Sequence, residues 1–320
     1  MEDKLTQDDR EVLLAAAVAA PSMHNTQPWR FRFVGSTVEV YRDRERELPA
    51  EDPSRRMLFV SLGAAIFNLR VAAAALGSGA EVRHLVDQQR PDLVAVVELG
   101  GAPNESIAAL APYLTERRTN REPFTEQRLP GQLRVQLGLC AQVEGAVLQW
   151  IDKPTRRWWL RIATNEAATA DDEDAARTAE RRRWVGGDRD ADGVPSSALG
   201  SRVAGGNPVV RELAATEADT ARPVADFERE PQLAVLATRY DGPIEWLRAG
   251  QALEHVLLEA TARGVSTSLL NQAIEHEELR LQINDPLGPW QRPQAVIRFG
   301  YGTPVPPTPR RSLKEALLGD

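Results

Sequence analysis

The sequence predicts a fold that mixes helices with strands and is built twice along one chain. The segment GAAIFNLRVAAAALG (63–77) aligns without a gap with GQALEHVLLEATARG (250–264). Both are apolar helical runs closed by a glycine, a common helix C-terminus. A strand pattern follows each helix, LVAVVELGG (93–101) and QAVIRFGYG (294–302). Identities in alanine-rich helices can arise by chance, but the repeated order of helix, strand and terminal glycine favours an internal duplication.

Each half is predicted to run helix, strand, central helix, strand, strand. We expect the first repeat over residues 1–112 and the second over residues 113–320. The central helices are apolar nearly all round, which predicts that they are buried. In the second half, the counterpart of the first helix-to-strand junction is CAQVEGAVLQWI (140–151).

The second repeat carries an extra segment at about 165–225. Its first part, NEAATADDEDAARTAERRRW (165–184), predicts an exposed helix rich in opposite charges. Glycine-rich sequence follows, and Asn207-Pro208 has the pattern of a helix start. Long segments of this kind are either flexible surface loops or lids over binding sites, and the sequence leaves both open.

The first repeat opens with a helix predicted over residues 6–20, with Thr6 and Asp9 as a capping-box pair. Pro21 ends this helix, Pro28 biases the preceding residue to an extended backbone, and WRFRFV (29–34) predicts a strand. Between the two prolines lie five polar residues: Ser22, His24, Asn25, Thr26 and Gln27. Such a cluster either satisfies itself in a tight turn or presents donors and acceptors to a ligand.

A second polar cluster is RRTNR, which comprises Arg117, Arg118, Thr119, Asn120 and Arg121. Arginine forks bind phosphate bidentately, so three guanidiniums and a hydroxyl in five residues favour an anion site. The alternative is a solvated charged loop, the usual outcome for such runs.

The segments APSMHNTQPW (20–29) and RRTNR together resemble two motifs of the nitroreductases that bind flavin mononucleotide (FMN). The stretch DPSRRMLFVSLGAAIFNLRVAAAALG (52–77) is similar to the Acg-like, dormancy-associated branch of that family. The resemblance implies an α+β, nitroreductase-like fold with central, mostly antiparallel sheets flanked by helices. Family members form intimate dimers with flavin at the interface, so two fused repeats would form an intramolecular pseudo-dimer.

The two motifs occur in reversed order here, and each survives in only one repeat. The resemblance therefore implies one complete FMN site between the repeats and one lost site. It assigns the phosphate to Arg117 and Arg121 with the Thr119 hydroxyl, and the flavin N5 contact to the loop 265–272. The implied cofactor-binding residues are Pro21, Ser22, Met23, His24, Asn25, Gln27, Arg117, Arg118, Thr119, Asn120, Arg121, Asn271, Gln272, Arg310 and Arg311.

Some of these assignments have plain alternatives. His24 is either a ligand or a turn residue, and the Arg310–Arg311 pair either closes over the phosphate or is a solvated tail. Asn271-Gln272 stands where the family often has Glu-Gly. His255 and Glu259 are one helical turn apart and could ligate a metal, but ordinary packing or an internal hydrogen bond is the favoured explanation.

Two functions fit this resemblance. One is FMN storage or sequestration with little turnover. The other is an NAD(P)H-dependent nitroreductase or quinone reductase that works by ping-pong hydride transfer, with NAD(P)H and a small nitroaromatic or quinone as partners. No catalytic side chain is required, because the cofactor performs the redox step. An interaction protein that has lost flavin is the third and weakest reading.

Composition limits the other function classes. The 320-residue chain has a net charge of −7, which argues against nucleic-acid binding. The single Cys140 excludes an internal disulfide and a cysteine-based metal cluster. The start lacks a signal-peptide pattern and the chain shows no unbroken apolar span, so we expect a cytoplasmic protein without a membrane partner. We expect a monomer, because the fused repeats already bury the family interface.

Overall fold

The computed structural model describes residues 5–85, 89–204, 213, 217–284 and 291–319. The first half comprises α1 (Gln7–Val18), β1 (Trp29–Val34), β2 (Thr37–Arg42), α2 (Arg56–Ala75), β3 (Ala80–His84), β4 (Leu93–Leu99) and α3 (Glu105–Ala108). Its four strands form an antiparallel sheet in the order β1-β2-β4-β3. The predicted capping box is present: the Thr6 hydroxyl accepts from Asp9 N, and the Asp9 carboxylate accepts from Thr6 N.

The second half opens with α4 (Gly131–Val143) and β5 (Val147–Trp150). An insert follows, with α5 (Pro154–Glu173), α6 (Ala175–Trp184), β6 (Arg202–Val203), α7 (Glu217–Thr220) and β7 (Val224–Ala225). The half ends with β8 (Gln232–Thr238), α8 (Pro243–Ala262), β9 (Ser266–Leu269), α9 (Gln272–Glu275), α10 (Glu277–Gln282), β10 (Arg292–Gly300) and α11 (Leu313–Ala316). Its main sheet, β5-β8-β10-β9, is antiparallel and repeats the strand order of the first.

Each half thus runs helix, strand, strand, central helix, strand, strand, and the predicted order lacked the second strand. In the first half, β1 and β2 are joined by a two-residue turn in which Gly35 takes a φ of 61°, so two strands occupy one short stretch. In the second half, the whole insert separates β5 from β8. The prediction of a loop over residues 265–272 is also wrong for its first part, because Ser266–Leu269 forms strand β9.

The central helices α2 and α8 pack against each other at the two glycines that the sequence alignment equates. A Cβ built on Gly63 would lie 2.1 Å from the Leu247 carbonyl oxygen, and one on Gly250 would lie 2.0 Å from the Val60 carbonyl oxygen. The helix backbones are therefore in contact, with reciprocal geometry. On length and composition α2 could cross a membrane, but 94% of its most apolar window is buried inside the structure, as in the core helix of a globular protein.

The insert is more structured and begins earlier than predicted, with α5 starting at Pro154. The predicted helix over 165–184 is divided at Asp174, whose side chain caps α6. Three of its charged residues, Asp171, Arg177 and Arg181, are buried, so the expectation of an exposed helix is wrong there. Their burial reflects ion pairs with each other and with the first half, which a local charge pattern does not reveal. Asn207-Pro208 lies outside the described residues.

Candidate functional site

A cavity of about 360 Å³ lies where both halves, the insert and the C-terminal segment after β10 (301–319) meet. Its walls come from the end of α1 and the following loop, from α2 and α8, and from the RRTNR segment. Eleven of the residues predicted from sequence line it: Pro21, Ser22, Met23, His24, Asn25, Arg117, Arg118, Thr119, Arg121, Asn271 and Arg310. The cavity is large enough for a cofactor or drug-sized ligand.

The loop after α1 is held in an unusual backbone conformation. His24, Asn25 and Gln27 have φ values of 48°, 55° and 50°. Left-handed backbone at non-glycine residues costs roughly 1–3 kcal/mol each and persists only where surrounding contacts enforce it. Here the Ser22 hydroxyl accepts from Gln27 N at 2.9 Å, and the Asn25 side chain donates to the carbonyl of Gly193 at 2.9 Å.

These contacts hold the loop in its left-handed conformation, and Ser22, His24 and Asn25 line the cavity. Gln27 itself is fully buried and outside the lining residues. Its side chain donates to the Ala191 carbonyl at 2.9 Å and accepts from Arg311 N at 2.9 Å, so it joins the loop to the insert and the C-terminal segment.

Arg310 lies at the carboxyl end of α1. Its Nε donates to the Val18 carbonyl at 2.8 Å and its guanidinium donates to the Ala19 carbonyl at 3.1 Å. A cation is favourable there, because the unpaired carbonyls at the end of a helix carry partial negative charge. The same guanidinium donates to Asn25 Oδ1 at 3.0 Å, which ties the C-terminal segment to the strained loop.

Arg117 is also buried and donates to the same Ala19 carbonyl at 3.4 Å, and its Nε lies 3.3 Å from an oxygen of Glu254 on α8. Arg118 donates to the carbonyl of Arg117 at 2.8 Å and leaves its side chain on the cavity wall. Burial, followed by the charges of Arg117 and Arg118, lowers the pKa of Arg310 to about 9. Burial likewise lowers the pKa of Arg118, and the charge of Arg117 adds to that effect.

The guanidiniums of Arg117, Arg118 and Arg310 thus lie close enough to repel one another. The carboxylate of Glu254 lies beside Arg117 in the same cluster. Burial raises the pKa of Glu254 to about 7, although the charges of Arg117 and Arg310 and a contact with Asn68 act in the opposite direction. The cluster therefore carries an excess of positive charge in a partly desolvated place. An anion entering the cavity would relieve that excess.

The remaining residues of the RRTNR segment have different surroundings. Arg121 donates to the Ala198 carbonyl at 2.9 Å, and Gly200, with a φ of 73°, approaches its backbone so closely that a Cβ would lie 2.5 Å from the Arg121 oxygen. Asn120 lies outside the lining residues, and its side chain donates to the Thr303 carbonyl at 2.8 Å. Arg121 therefore attaches to the insert, whereas Arg117 and Arg118 form the cation cluster with Arg310.

Three further predicted residues occupy the second half. Asn271 lines the cavity, but its Oδ1 accepts from Val296 N at 3.0 Å and so stabilises the start of α9 against β10. Gln272 is buried and outside the lining residues. Arg311 also lies outside them; it donates to the Glu315 carbonyl at 2.7 Å and lies 3.5 Å from Asp43.

A chain of buried polar contacts and ion pairs leads from the cavity into the insert. His24 Nε2 lies 2.6 Å from Glu51, whose other oxygen lies 2.7 Å from Arg181. Arg181 in turn pairs with Asp171 at 2.8 Å, and Asp171 also accepts from Arg177 at 2.7 Å. His24 is therefore held by the protein itself, and the insert is attached to the loop that carries it.

Sequence reasoning missed Glu51, Asp171 and Glu254. For Glu254 a signal existed, because it is an acidic residue within an apolar helix that is predicted to be buried. The suggested metal pair is not formed. His255 Nδ1 lies 3.3 Å from Glu144, Glu259 pairs with Arg263, and no cluster of metal-ligand residues occurs within the described ranges.

The comparisons with known proteins agree with this architecture. No family model matches the sequence. The Mycobacterium tuberculosis H37Rv protein named "Putative NAD(P)H nitroreductase acg" is 30% identical, over 98% of this chain and 96% of its own. A second protein of that strain, also named a "Putative NAD(P)H nitroreductase", is 28% identical over 95% of this chain and 90% of its own.

A solved structure shares the fold. The "putative nitroreductase" of Anabaena variabilis ATCC 29413 superposes with a TM-score of 0.57 at 10% identity, over 94% of this chain and 90% of that chain. The resemblance drawn from the sequence motifs is therefore confirmed. The chain belongs to the nitroreductase family, in the group that includes Acg.

Proposed function

We propose that this protein binds one FMN in the cavity between its two repeats, and that the insert covers the bound cofactor. One observation carries the proposal: the strained loop of the first repeat, the RRTNR segment of the second and Arg310 of the C-terminal segment line a single cavity. Two motifs about a hundred residues apart in sequence thus converge on one site, as the family resemblance implies.

The chemistry of the lining residues fits FMN. A phosphate monoester needs several charged donors, and Arg117, Arg118 and Arg310 supply them without an equal number of carboxylates. The isoalloxazine needs apolar faces, and apolar lining residues come from five segments: Met23, Met57, Val60, Leu253, Leu269 and Pro306. The cavity volume lies within the ~300–1,000 Å³ that is typical of cofactor sites.

FMN would supply hydride transfer, and this chain would bind and orient it. Arg117, Arg118 and Arg310 would hold the phosphate, while Met23 and Asn25 would fix one edge of the ring system. Val194 and Ala198 of the insert would keep water from the opposite side. None of these residues needs to exchange a proton with a substrate for this role.

Storage or sequestration is the activity we favour. Insert residues form part of the wall: Val194, Ser197, Ala198, Gly200 and Leu213. The buried ion pair of Arg181 with Glu51 fixes the insert to the first repeat, and Asp171 holds Arg181 in place within the insert. Uncovering the cavity therefore requires breaking contacts in a low-dielectric interior. A cover attached in this way slows exchange of FMN and restricts entry of nicotinamide.

The alternative is an NAD(P)H-dependent nitroreductase or quinone reductase, and the names of the relatives favour it. We further propose that residues 1–112 and 113–320 are the two repeats of a pseudo-dimer. The recurring strand order and the reciprocal glycine contact of α2 and α8 support this division. A monomeric, cytoplasmic protein is the corresponding expectation.

The absorbance spectrum of the purified protein tests these proposals. A visible flavin band that persists after anaerobic addition of NADPH or NADH supports storage, and bleaching supports the reductase. A protein without flavin that also fails to bind added FMN would contradict both. Arg118→Ala should lower FMN occupancy, whereas Arg128→Ala, at an exposed arginine paired with Glu230, should leave it unchanged.

A further inference from the structure

Glu254 is an acidic residue at the centre of an apolar contact between the two repeats. It lies on α8 and is fully buried, beside an arginine cluster whose proposed role is to hold an anion. A carboxylate there competes with any phosphate for the same guanidiniums. It therefore weakens phosphate binding unless its charge changes when the ligand arrives.

The groups around Glu254 come from three elements. Arg117 of the RRTNR segment lies 3.3 Å away, and Arg310 of the C-terminal segment contributes a second positive charge. Asn68 of α2 is the polar neighbour on the third side. The next residue on α8, His255, turns away to Glu144 and stacks on Phe67.

Neither oxygen of Glu254 accepts a well-formed hydrogen bond from the part of the chain that the structure describes. The Arg117 contact lacks hydrogen-bond geometry as well. The ionised carboxylate is thus stabilised first by the charge of Arg117, with further contributions from Asn68 and from the charge of Arg310. Removing or neutralising that positive charge removes most of what keeps it ionised.

We propose that Glu254 is the counter-ion of the arginine cluster in the flavin-free protein, and that it takes up a proton from solvent when a phosphate occupies the cavity. This inference rests on the proposed function, since FMN is the phosphate donor considered. Arriving negative charge satisfies Arg117 and Arg310 and repels Glu254. Protonation then leaves a neutral carboxylic acid in the desolvated site.

Proton uptake by Glu254 makes the affinity for FMN depend on pH. Before binding, burial has already raised the pKa of Glu254 to about 7, so the group is mostly ionised at pH 8. A bound phosphate dianion raises that pKa further, so binding consumes a proton, and FMN affinity falls as pH rises above about 7. The phosphate of FMN, whose second pKa is about 6, is already dianionic at pH 8 and does not add protons of its own.

Isothermal titration calorimetry of the flavin-free protein at pH 8 measures this proton uptake. The titration is made in two buffers of different ionisation enthalpy, and the difference in binding heat gives the number of protons taken up. For the wild-type protein we expect FMN to bind with uptake approaching one proton, and the Kd to rise by up to about tenfold per pH unit between pH 7.5 and 8.5. Riboflavin, which lacks the phosphate, should bind without uptake. Sulfate, a dianion that does not titrate in this range, should reproduce the uptake.

The matched variants are Glu254→Gln and Glu259→Gln. The first removes the main titrating group. Proton uptake at pH 8 should therefore fall to the small share that Arg310 contributes through its pKa of about 9, and the pH dependence of the Kd between pH 7 and 8 should largely disappear. The second alters a buried carboxylate one turn further along α8, paired with Arg263, and should behave as the wild type. If Glu254→Gln does not fold, the wild-type pH profile and the sulfate titration still decide the question.

The outcomes separate the two proposals. FMN binding without proton uptake in the wild type overturns the role of Glu254 and leaves FMN binding in place. Sulfate binding with uptake, in a protein that does not bind FMN, supports Glu254 as counter-ion and overturns the flavin site. Failure to bind either ligand overturns both.

Discussion

Replacing Gly63 with alanine tests the close crossing of α2 and α8 on which the site is built. A Cβ at this position would lie 2.1 Å from the Leu247 carbonyl oxygen and 2.9 Å from the Gly250 Cα. Real Cβ contacts do not fall below 3.0 Å, so the two backbones must separate by about 0.9 Å locally. Neither obstacle is a side chain that can rotate away.

Overpacking of this kind costs roughly 1–3 kcal/mol or more. Alanine recovers up to about 1 kcal/mol through its better helix propensity. Because both obstacles are backbone atoms, we place the overpacking cost at its upper end and expect Gly63→Ala to lower the free energy of unfolding by about 2 kcal/mol. The separation also displaces the neighbouring Val60, Ser61 and Ala64, which line the cavity, so FMN affinity should fall as well.

Urea denaturation followed by circular dichroism measures the loss of stability. The control is Gly138→Ala in α4, where a Cβ meets no atom within 4 Å and the substitution should stabilise the protein by about 0.5–1 kcal/mol. Gly63→Ala and Gly250→Ala should be less than additive, because both are relieved by the same separation. A Gly63→Ala protein as stable as wild type would refute the close-crossing argument.

Three further predictions concern single side chains. Arg310→Gln removes a charged donor from the cavity and from the end of α1. It should weaken FMN binding by about 10- to 150-fold, equivalent to 1.5–3 kcal/mol. The exposed Lys314→Gln should leave the affinity unchanged, and equal affinities of the two variants in a fluorescence titration would contradict this. Asp171→Asn removes the carboxylate partner of buried Arg177 and one of the two carboxylates paired with Arg181, and should cost about 3–5 kcal/mol in unfolding experiments. The exposed Asp172→Asn should cause no measurable change, and similar melting temperatures for the two variants would exclude a structural role for the ion pairs. Burial raises the pKa of Cys140 to about 12, so only about one thiol in ten thousand is ionised at pH 8. Iodoacetamide should therefore react with Cys140 far more slowly in the folded protein than after unfolding. Equal rates would show that the thiol is accessible in the folded protein.

The sequence was most informative where structure depends on local chemistry. The Thr6–Asp9 capping box and the strand after Pro28 follow from short-range rules, and both are present. The alignment of Gly63 with Gly250 also predicted a structural equivalence. Where two helix backbones are in contact there is no room for a Cβ, so glycine is required at that one position in each helix.

Prediction failed where the partner is remote in sequence. Asp171, Arg177 and Arg181 look like an exposed charged helix, yet each is buried by a partner elsewhere in the chain or in the next helix. The segment 265–272 contains few strand signals of its own, and its pairing with β10 makes it a strand. The RRTNR motif identified the right region, but only the tertiary contacts of Arg121 distinguish it from the cation cluster.

If the two halves are fused repeats, as we propose, the fusion explains why one side of the α2–α8 contact lies against the arginine cluster while the other does not. In the register that pairs Gly63 with Gly250, Glu254 occupies the place of Phe67, and His255 that of Asn68. On one side Glu254 faces Arg117; on the other, Phe67 stacks on His255.

On that second side Arg70 binds Glu144 at 2.5 Å, so the arginine there already has a carboxylate partner within the protein. In a symmetric homodimer every substitution appears twice, so a glutamate suited to one site would be imposed on the other. A single chain removes that constraint, because each repeat can change alone. The unpaired excess of positive charge can therefore be concentrated in one cavity while the equivalent position becomes part of the packed interior.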